Sequence, residues 1–585
     1  MQVLHALEDL PAGAAYDLVV VGAGGAGMAA ALFAAIDGQR VLLVERTGHV
    51  GGTTALSAGT TWVPGTHHSA TVNPTDTLSD AARYLDNAIG ERTPAALRQA
   101  FLNHGAEAVT LAEMHSEVKF RPYARHPDYL SELGGSTLNG RALEPLPFDG
   151  RLLGGLFPLL RPPIPEFTVL GGMMVDRTDI NHLLALTKSW ASFRHSLKIL
   201  LRHGRDRLSY PRGTRLVMGN ALVARLLYSL SRQAGVTLLL RTGLASLERG
   251  EQGDRDIEAV VLRAGETTRR VPVRGGVVLA SGGFNRHPGR RAQLLPGADI
   301  GWCPGAPGHT GDAHAPAQAV GAAYGQGALS HAFWAPVSLR PRADGSTAVF
   351  PHFVMDRAKP GMLTVNQAGR RFVNESTSYH LFGIAMQAAH QASPSIPAYL
   401  VCDATALHRY GIGMVRPGAG PRDLAPFLAD GYLTQGATLD ELAGRLGMAA
   451  AGLKASVGQI NRCADTGVDP DFQRGVTAYQ QNIGDAAAGT RNPNLGRLDT
   501  APYYAVRLYP GDIGAATGFA TDGDARVLDA AGQPIPGLYA VGNDMHSIMG
   551  GVYTAPGITL GPGLVFGYLA ARHTGARAAA GRPQV

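Results

Sequence analysis

Cysteine is nearly absent, with only Cys303, Cys402 and Cys463 in a chain of 585 residues. They stand far apart without CxxC spacing, which argues against a disulfide frame or a zinc site and fits reduced thiols; no metal ligand set is expected. A large excess of one charge is lacking as well. The formal net charge of +6 is modest for this length and gives no argument for nucleic acid as a partner. The first eleven residues carry acidic side chains and no cleavable apolar run, so no signal peptide is expected and a cytoplasmic location is read. The apolar and charged fractions sit near the globular average, against both disorder and a fibrous fold. One uncharged run, residues 18–36, is long enough to span a membrane. It is dense in glycine and alanine, however, and divides into a strand, a glycine turn and a helix.

Glycine is what abounds, at 76 residues, as expected of a backbone that must approach a ligand closely. The length allows a large core and two or more domains. Leu18-Val19-Val20-Val21 reads as a buried parallel strand and runs into Gly22-Ala23-Gly24-Gly25-Ala26-Gly27. An alanine-rich helix to about Asp37 follows, then a second strand over residues 40–44 that ends at Glu45. In such a unit the first glycine makes the turn and the second admits a pyrophosphate. The third lets helix pack on strand, and the helix N-terminus offers N–H donors to the phosphates. Glu45 can accept hydrogen bonds from a ribose. NAD and FAD share this fingerprint, and it does not choose between them.

The run Gly51-Gly52-Thr53-Thr54-Ala55-Leu56-Ser57-Ala58-Gly59 resembles the segment lining the flavin and pyrophosphate in the fumarate reductase and ketosteroid dehydrogenase superfamily. Residues 236–241 with Thr242-Gly243-Leu244 resemble the strand and turn that meet adenine there. Residues 276–280 with Ser281-Gly282-Gly283-Phe284 resemble the close of the first FAD stretch. Gly537-Leu538-Tyr539-Ala540-Val541-Gly542-Asn543-Asp544 resembles the terminal GLYAxGN strand, ahead of a glycine-rich turn and a helix over about 561–573. The resemblance implies non-covalent FAD. Around it would stand Gly22, Ala23, Gly24, Ala26, Gly27, Glu45, Arg46, Gly52, Thr53, Thr54, Ser57 and Gly59 from the first stretch. Leu244, Ser281, Gly282, Gly542, Asn543, Thr559 and Leu560 would complete the site.

Further motifs resemble 3-ketosteroid Δ1-dehydrogenases along nearly the whole chain. They are His331-Ala332-Phe333-Trp334-Ala335-Pro336, Asp356-Arg357-Ala358-Lys359-Pro360-Gly361, and Gly369-Arg370-Arg371-Phe372-Val373-Asn374-Glu375 just before Ser378-Tyr379-His380. Gly550-Gly551-Val552-Tyr553-Thr554-Ala555-Pro556-Gly557 completes them. The implied fold class is α/β, a discontinuous Rossmann-like FAD-binding domain with an inserted α+β substrate-capping domain. Residues 14–286 would form the first part of the FAD domain, with an extended insertion at about 152–216. Residues 287–498 would form the inserted domain and 499–585 the closing part.

The resemblance implies α,β-dehydrogenation of a lipophilic ketone, a 3-ketosteroid or related cyclic ketone, with a β-hydride passing to flavin N5. Tyr553 hydroxyl and Gly557 N–H would form an oxyanion hole, and Tyr379 would take the α-proton with help from Tyr129. A phenol with pKa near 10 needs the site's assistance to act as a base at neutral pH. The electron acceptor stays open among a quinone, an electron-transfer protein and O2. Two other readings stay open: an alkene reductase of the fumarate or urocanate type, and a flavin carrier without chemistry. The first would need arginines to clamp a carboxylate, and no arginine lies between Asn543 and Phe566. Within the insertion, residues 188–215 are basic and amphipathic. They read as a helix packed on the domain, or as a lid or membrane-surface helix.

Overall fold

The computed structural model describes residues 1–250, 256–354 and 356–580. Six strands form a parallel sheet in the order Gln2–Leu4, Val236–Leu239, Val41–Val44, Tyr16–Val21, Thr267–Leu279 and Pro534–Ala540. Tyr16–Val21 is buried on both faces, as its β-branched run requires. Its neighbours lie on opposite sides, Val41–Val44 on one and Thr267–Leu279 on the other, so the connections part at its carboxyl end. Such a crevice is where open α/β sheets bind ligands. The helices Gly25–Ile36 and Leu560–Ala580 pack on this sheet and on each other, bringing the two chain ends together. The apolar run over residues 18–36 is thus the rest of a strand, a turn and a helix. Among the described residues no helix is long and apolar enough to cross a membrane.

A second, antiparallel sheet is built from Thr347–Pro351, Ala332–Pro341, Tyr503–Ala515, Ala398–Asp403 and Met362–Val365, with Leu433–Gly436 also paired to Tyr503–Ala515. Side-chain alternation gives it two faces. Met362, Leu400 and Val506 point into one apolar cluster, and Leu363, Val401 and Ala505 point into another. Tyr503–Ala515 hydrogen-bonds only strands of this sheet. Residues 503–515, within the expected closing part, thus pair with strands of the expected insertion. Tyr504, Val506 and Leu508 of this strand pack into the first cluster, and Tyr503 and Ala505 pack into the second.

The insertion carries the helices Arg177–Leu184 and Trp190–Asp206. Its docking is the reverse of what its amphipathic pattern suggests. The inward face of Trp190–Asp206 is mostly polar: Ser192, Ser196, His203 and Asp206 are buried beside a single aliphatic, Ile199. Hydrogen bonds satisfy several of these groups. Asp206 accepts from the N–H and hydroxyl of Thr214 at 2.9 and 2.7 Å, and His203 Nε2 donates to Leu170 O at 2.9 Å.

Candidate active site

A cavity of about 360 Å³ runs from the carboxyl edge of the parallel sheet to Phe333, Pro351 and Ile513 of the second sheet. Gly22, with φ +113°, turns the chain so tightly that a Cβ would stand 2.3 Å from Ala280 O. A Cβ on Gly27 would come within 1.9 Å of Gly22 O, whereas one on Gly24 would meet only open space. Among the described residues the N–H groups of Gly24 and Ala26, at the start of the helix, have no protein acceptor. They are free donors for a diphosphate. Glu45 is fixed beneath them, accepting from Ala23 N–H at 3.1 Å and from the N–H and hydroxyl of Thr47 at 2.8 Å each. Arg46 is held by Thr310 and Asp312.

Asp544 joins the two ends of the chain behind this channel. It accepts from Ser281 N–H, from the Ser281 hydroxyl and Gly283 N–H at 2.8 Å each, and from His314 Nε2 at 3.0 Å. Burial alone would raise its pKa, but the contacts from His314 and Ser281 outweigh that and hold the carboxyl below its usual range. All of the expected FAD-binding residues border the cavity except Ala23 and Gly27. Ala23 is spent on Glu45 and Gly27 on the turn at Gly22, so both shape the wall from behind. Open donors at a helix N-terminus, an acid at the end of the second strand and an adjoining slot of Gly52, Thr53, Ser57 and Gly59 fit FAD.

At the other end three tyrosines converge from distant parts of the chain. Tyr379 opens the helix Tyr379–Ala392, whose N-cap Ser378 accepts from Leu381 N–H at 3.3 Å. Tyr129 comes from a loop pinned by its own N–H to Thr554 O at 2.8 Å. Tyr553 comes from the turn before Leu560–Ala580. Tyr129 hydroxyl donates to Tyr379 hydroxyl at 3.2 Å, and the Tyr379 and Tyr553 rings lie 5.1 Å apart, edge to face. Gly557, with φ +90°, sits so close to Thr60 O that a Cβ would be 2.4 Å away. Its N–H has no protein acceptor among the described residues, and Gly557 borders the cavity. All four residues expected to carry the chemistry therefore meet in one chamber.

Burial pushes the phenol of Tyr379 well above the ordinary range, and its tyrosine neighbours push it further. Tyr129 is raised in the same way, and Tyr553 is raised by burial against the pull of Tyr379 and Thr559. His380, which departs from the expected pattern, has a structural task. Its Nδ1 accepts from Trp334 N–H at 3.2 Å and its Nε2 donates to Gly551 O at 2.9 Å, tying sheet, helix and the Tyr553 turn together. Burial lowers its pKa to about 4, so it stays neutral.

Several residues lacked a readable signal in the sequence. Tyr479 packs on Tyr129 with ring centroids 4.7 Å apart, yet no motif surrounds it. His126 borders the chamber beside Tyr129 with Nδ1 unpartnered, and burial takes its pKa to about 4. The stretch from Gly308 to Ala313 also lines the nucleotide channel; its glycine and Thr310-Gly311-Asp312 could have been read as another turn against the ligand. The 369–375 motif is scaffold rather than site. Arg371 and Arg474 close on the buried Glu375, and Asp469 takes the far side of Arg371. Arg357, beside the tyrosines, is turned away from the chamber and donates to the carbonyls of His352, Phe353, Glu375 and Thr377.

The FAD binding domain family matches residues 17–560 of this chain. A 4-oxocyclohex-2-ene-1-carboxylate 5-dehydrogenase of Sinomonas cyclohexanicum is 38% identical over 95% of this chain and 93% of its own length. A 3-oxosteroid 1-dehydrogenase of Mycolicibacterium smegmatis is 36% identical over 97% of this chain and 99% of its own. The crystal structure of 3-ketosteroid Δ1-dehydrogenase from Sterolibacterium denitrificans, in complex with 1,4-androstadiene-3,17-dione, superposes with a TM-score of 0.89 at 34% identity. That match covers 96% of this chain and 99% of the other.

Proposed function

The chain belongs to the FAD binding domain family, among flavoproteins like 3-ketosteroid Δ1-dehydrogenase, and from that membership we propose that it desaturates a neutral cyclic ketone of the 3-ketosteroid type. It is an FAD-dependent oxidoreductase acting on CH–CH groups. Bound FAD supplies the acceptor for the hydride that leaves the β-carbon. The chain's own groups do the rest. Tyr553 hydroxyl and the open Gly557 N–H receive the substrate carbonyl, and they stabilise the negative charge that grows on its oxygen as the α-proton departs. One such donor is typically worth about 2.7–4 kcal/mol of barrier. Tyr379 takes the α-proton. Tyr379 does this in its ionised form, and Tyr129, donating to the Tyr379 oxygen, stabilises that phenolate before the proton arrives. Phe333, Phe353, Val354 and Ile513 wall the chamber against water.

The observation that carries this reading is that, among the described residues, the chamber has no cation at the ketone end. Its basic wall residues are Arg46, His126, Arg161 and His309. Arg46 is committed to Asp312, Arg161 donates to Thr47 at the nucleotide end, and His309 stands against Thr53. That leaves His126, which burial keeps neutral. A buried carboxylate without a partner costs several kcal/mol, which disfavours fumarate-like acids and keto-acids alike. The 38% identity to a dehydrogenase of an oxocyclohexene carboxylate makes a small keto-acid the second reading. Anaerobic addition of androstenedione to the FAD-loaded protein is expected to bleach the flavin. Bleaching by 4-oxocyclohexanecarboxylate and not by the steroid would move the substrate to the second reading. If the protein reacts only when reduced, and only with fumarate-like acids, desaturation itself falls.

The raised phenols also set a pH dependence. A base whose pKa is pushed up is deprotonated only at high pH, so kcat is expected to climb through neutral and alkaline pH, approaching tenfold per unit below the operative pKa. His126 and His380, each near 4, titrate too low to produce a limb between pH 6 and 8. Stopped-flow flavin reduction from pH 6 to 10 measures this. A bell centred near neutrality would remove the tyrosine as base.

A further inference from the structure

The helix Trp190–Asp206 presents to solvent the face an ordinary helix would bury. Trp190, Phe193, Leu197 and Leu201 recur at i, i+3, i+7 and i+11, on one side of the helix. All are exposed, Trp190 at 75% and Leu201 at 65%, and Trp190 stacks on Phe193 with centroids 5.4 Å apart. Leu184 and Leu208 are exposed at either end of the same segment. Beside the stripe stand Arg194, Lys198 and Arg205, with Lys188 ahead of the helix. None of these four cations forms an ion pair or side-chain hydrogen bond with a described residue. The acids of the neighbourhood are engaged: Asp206 by Thr214, Asp179 by His195 and Arg215, and Asp149 by Arg151 and Arg202.

We infer that this face docks on an anionic lipid bilayer, lying in the interface with Trp190, Phe193, Leu197 and Leu201 inserted and the four cations at the headgroups. Apolar stripe and flanking unpaired cations are the two contributions such helices combine, burial of apolar area and attraction to anionic lipid. The charge pattern favours a bilayer over a second copy of the chain, since a two-fold contact through this face would oppose like charges. Position adds a reason. The insertion supplies Arg161 and Ile164 to the cavity wall, and its Glu166 is bonded at 2.8 Å to Arg342, in the turn that follows Ala332–Pro341 of the second sheet. A protein seated by this helix would hold that wall near the membrane, where apolar molecules partition. The inference does not rest on the ketone reading, because the surface features stand whatever the chamber holds.

Co-sedimentation of the FAD-loaded full chain with phosphatidylcholine vesicles containing about 30% phosphatidylglycerol tests it. Wild type is expected to bind these vesicles at least tenfold more tightly than pure phosphatidylcholine, and to release them in high salt. Trp190 emission is expected to shift to the blue and to be quenched by brominated lipid. The double variants Leu197→Glu/Leu201→Glu and Arg194→Glu/Lys198→Glu are expected to lose binding at least tenfold while reducing flavin with a dissolved ketone at the wild-type rate. Absence of vesicle binding by wild type would overturn the inference, and so would undiminished binding by both variants. A concentration-dependent dimer in sedimentation that the Leu197→Glu/Leu201→Glu variant abolishes would overturn it too, assigning the face to self-association.

Discussion

Tyr379→Phe is expected to slow ketone-driven bleaching of the flavin about 10³-fold while leaving FAD bound. The ring can stay where it is. Its neighbours are aromatic edges, Phe353 at 5.0 Å, Tyr553 at 5.1 Å and Tyr129 at 5.4 Å between centroids, and phenylalanine keeps all three. What disappears is one oxygen, the acceptor of the 3.2 Å hydrogen bond from Tyr129. Folding then loses about 1 kcal/mol, the ordinary worth of one hydrogen bond. Catalysis loses its proton acceptor, and a positioned general base typically contributes about 10²–10⁴-fold. The nucleotide channel is built from other parts of the chain, so flavin absorbance per protein should match wild type. Anaerobic stopped-flow bleaching with saturating ketone separates the two. A rate within tenfold of wild type would show that another group takes the proton.

The sequence made this end of the molecule legible because each half of the site is a local pattern. A glycine turn between strand and helix can be read from neighbours in the chain, and so can Tyr553 with Gly557 four residues on. The rest depends on distant segments meeting. Tyr479 stands 350 residues from Tyr129, and only the fold brings the rings to 4.7 Å. His126 has no neighbouring pattern at all. The insertion helix was legible only in part, for a different reason: an amphipathic pattern shows which residues share a face but not which face turns inward. Here buried serine, histidine and aspartate find partners in Thr214 and Leu170, and the apolar stripe is left outside. Arg371 to Glu375 was read as part of a family motif beside Tyr379, and that adjacency proved mechanical.

Glu375→Ala is expected to destabilise the folded protein by about 3–5 kcal/mol, the usual consequence of removing one partner from a buried ionic cluster. Glu375 is fully buried. It accepts from Arg371 at 2.8 and 3.1 Å, from Arg474 at 3.1 Å and from Thr364 N–H at 3.1 Å. Alanine would leave Arg474 without its carboxylate and Arg371 with Asp469 alone. Glu375→Gln keeps the shape and one acceptor, and should lose less. Acid stability supplies a second readout. Burial would raise the carboxyl's pKa, but the charges of Arg371 and Arg474 outweigh it and hold the folded value below that of the unfolded chain. A depressed acid contributes stability above its unfolded pKa, and that contribution is lost as pH falls through the folded value. Wild type should therefore lose more stability on acidification than the alanine variant does. Urea unfolding at pH 7 and at about pH 3, well below the ordinary glutamate pKa of about 4.3, measures both, and a difference under 1 kcal/mol at pH 7 would refute the cluster's importance. The effect should reach the chemistry as well. Arg357 grips Glu375 O and Thr377 O, and Ser378 caps the helix that Tyr379 begins, so loosening the cluster displaces the base itself.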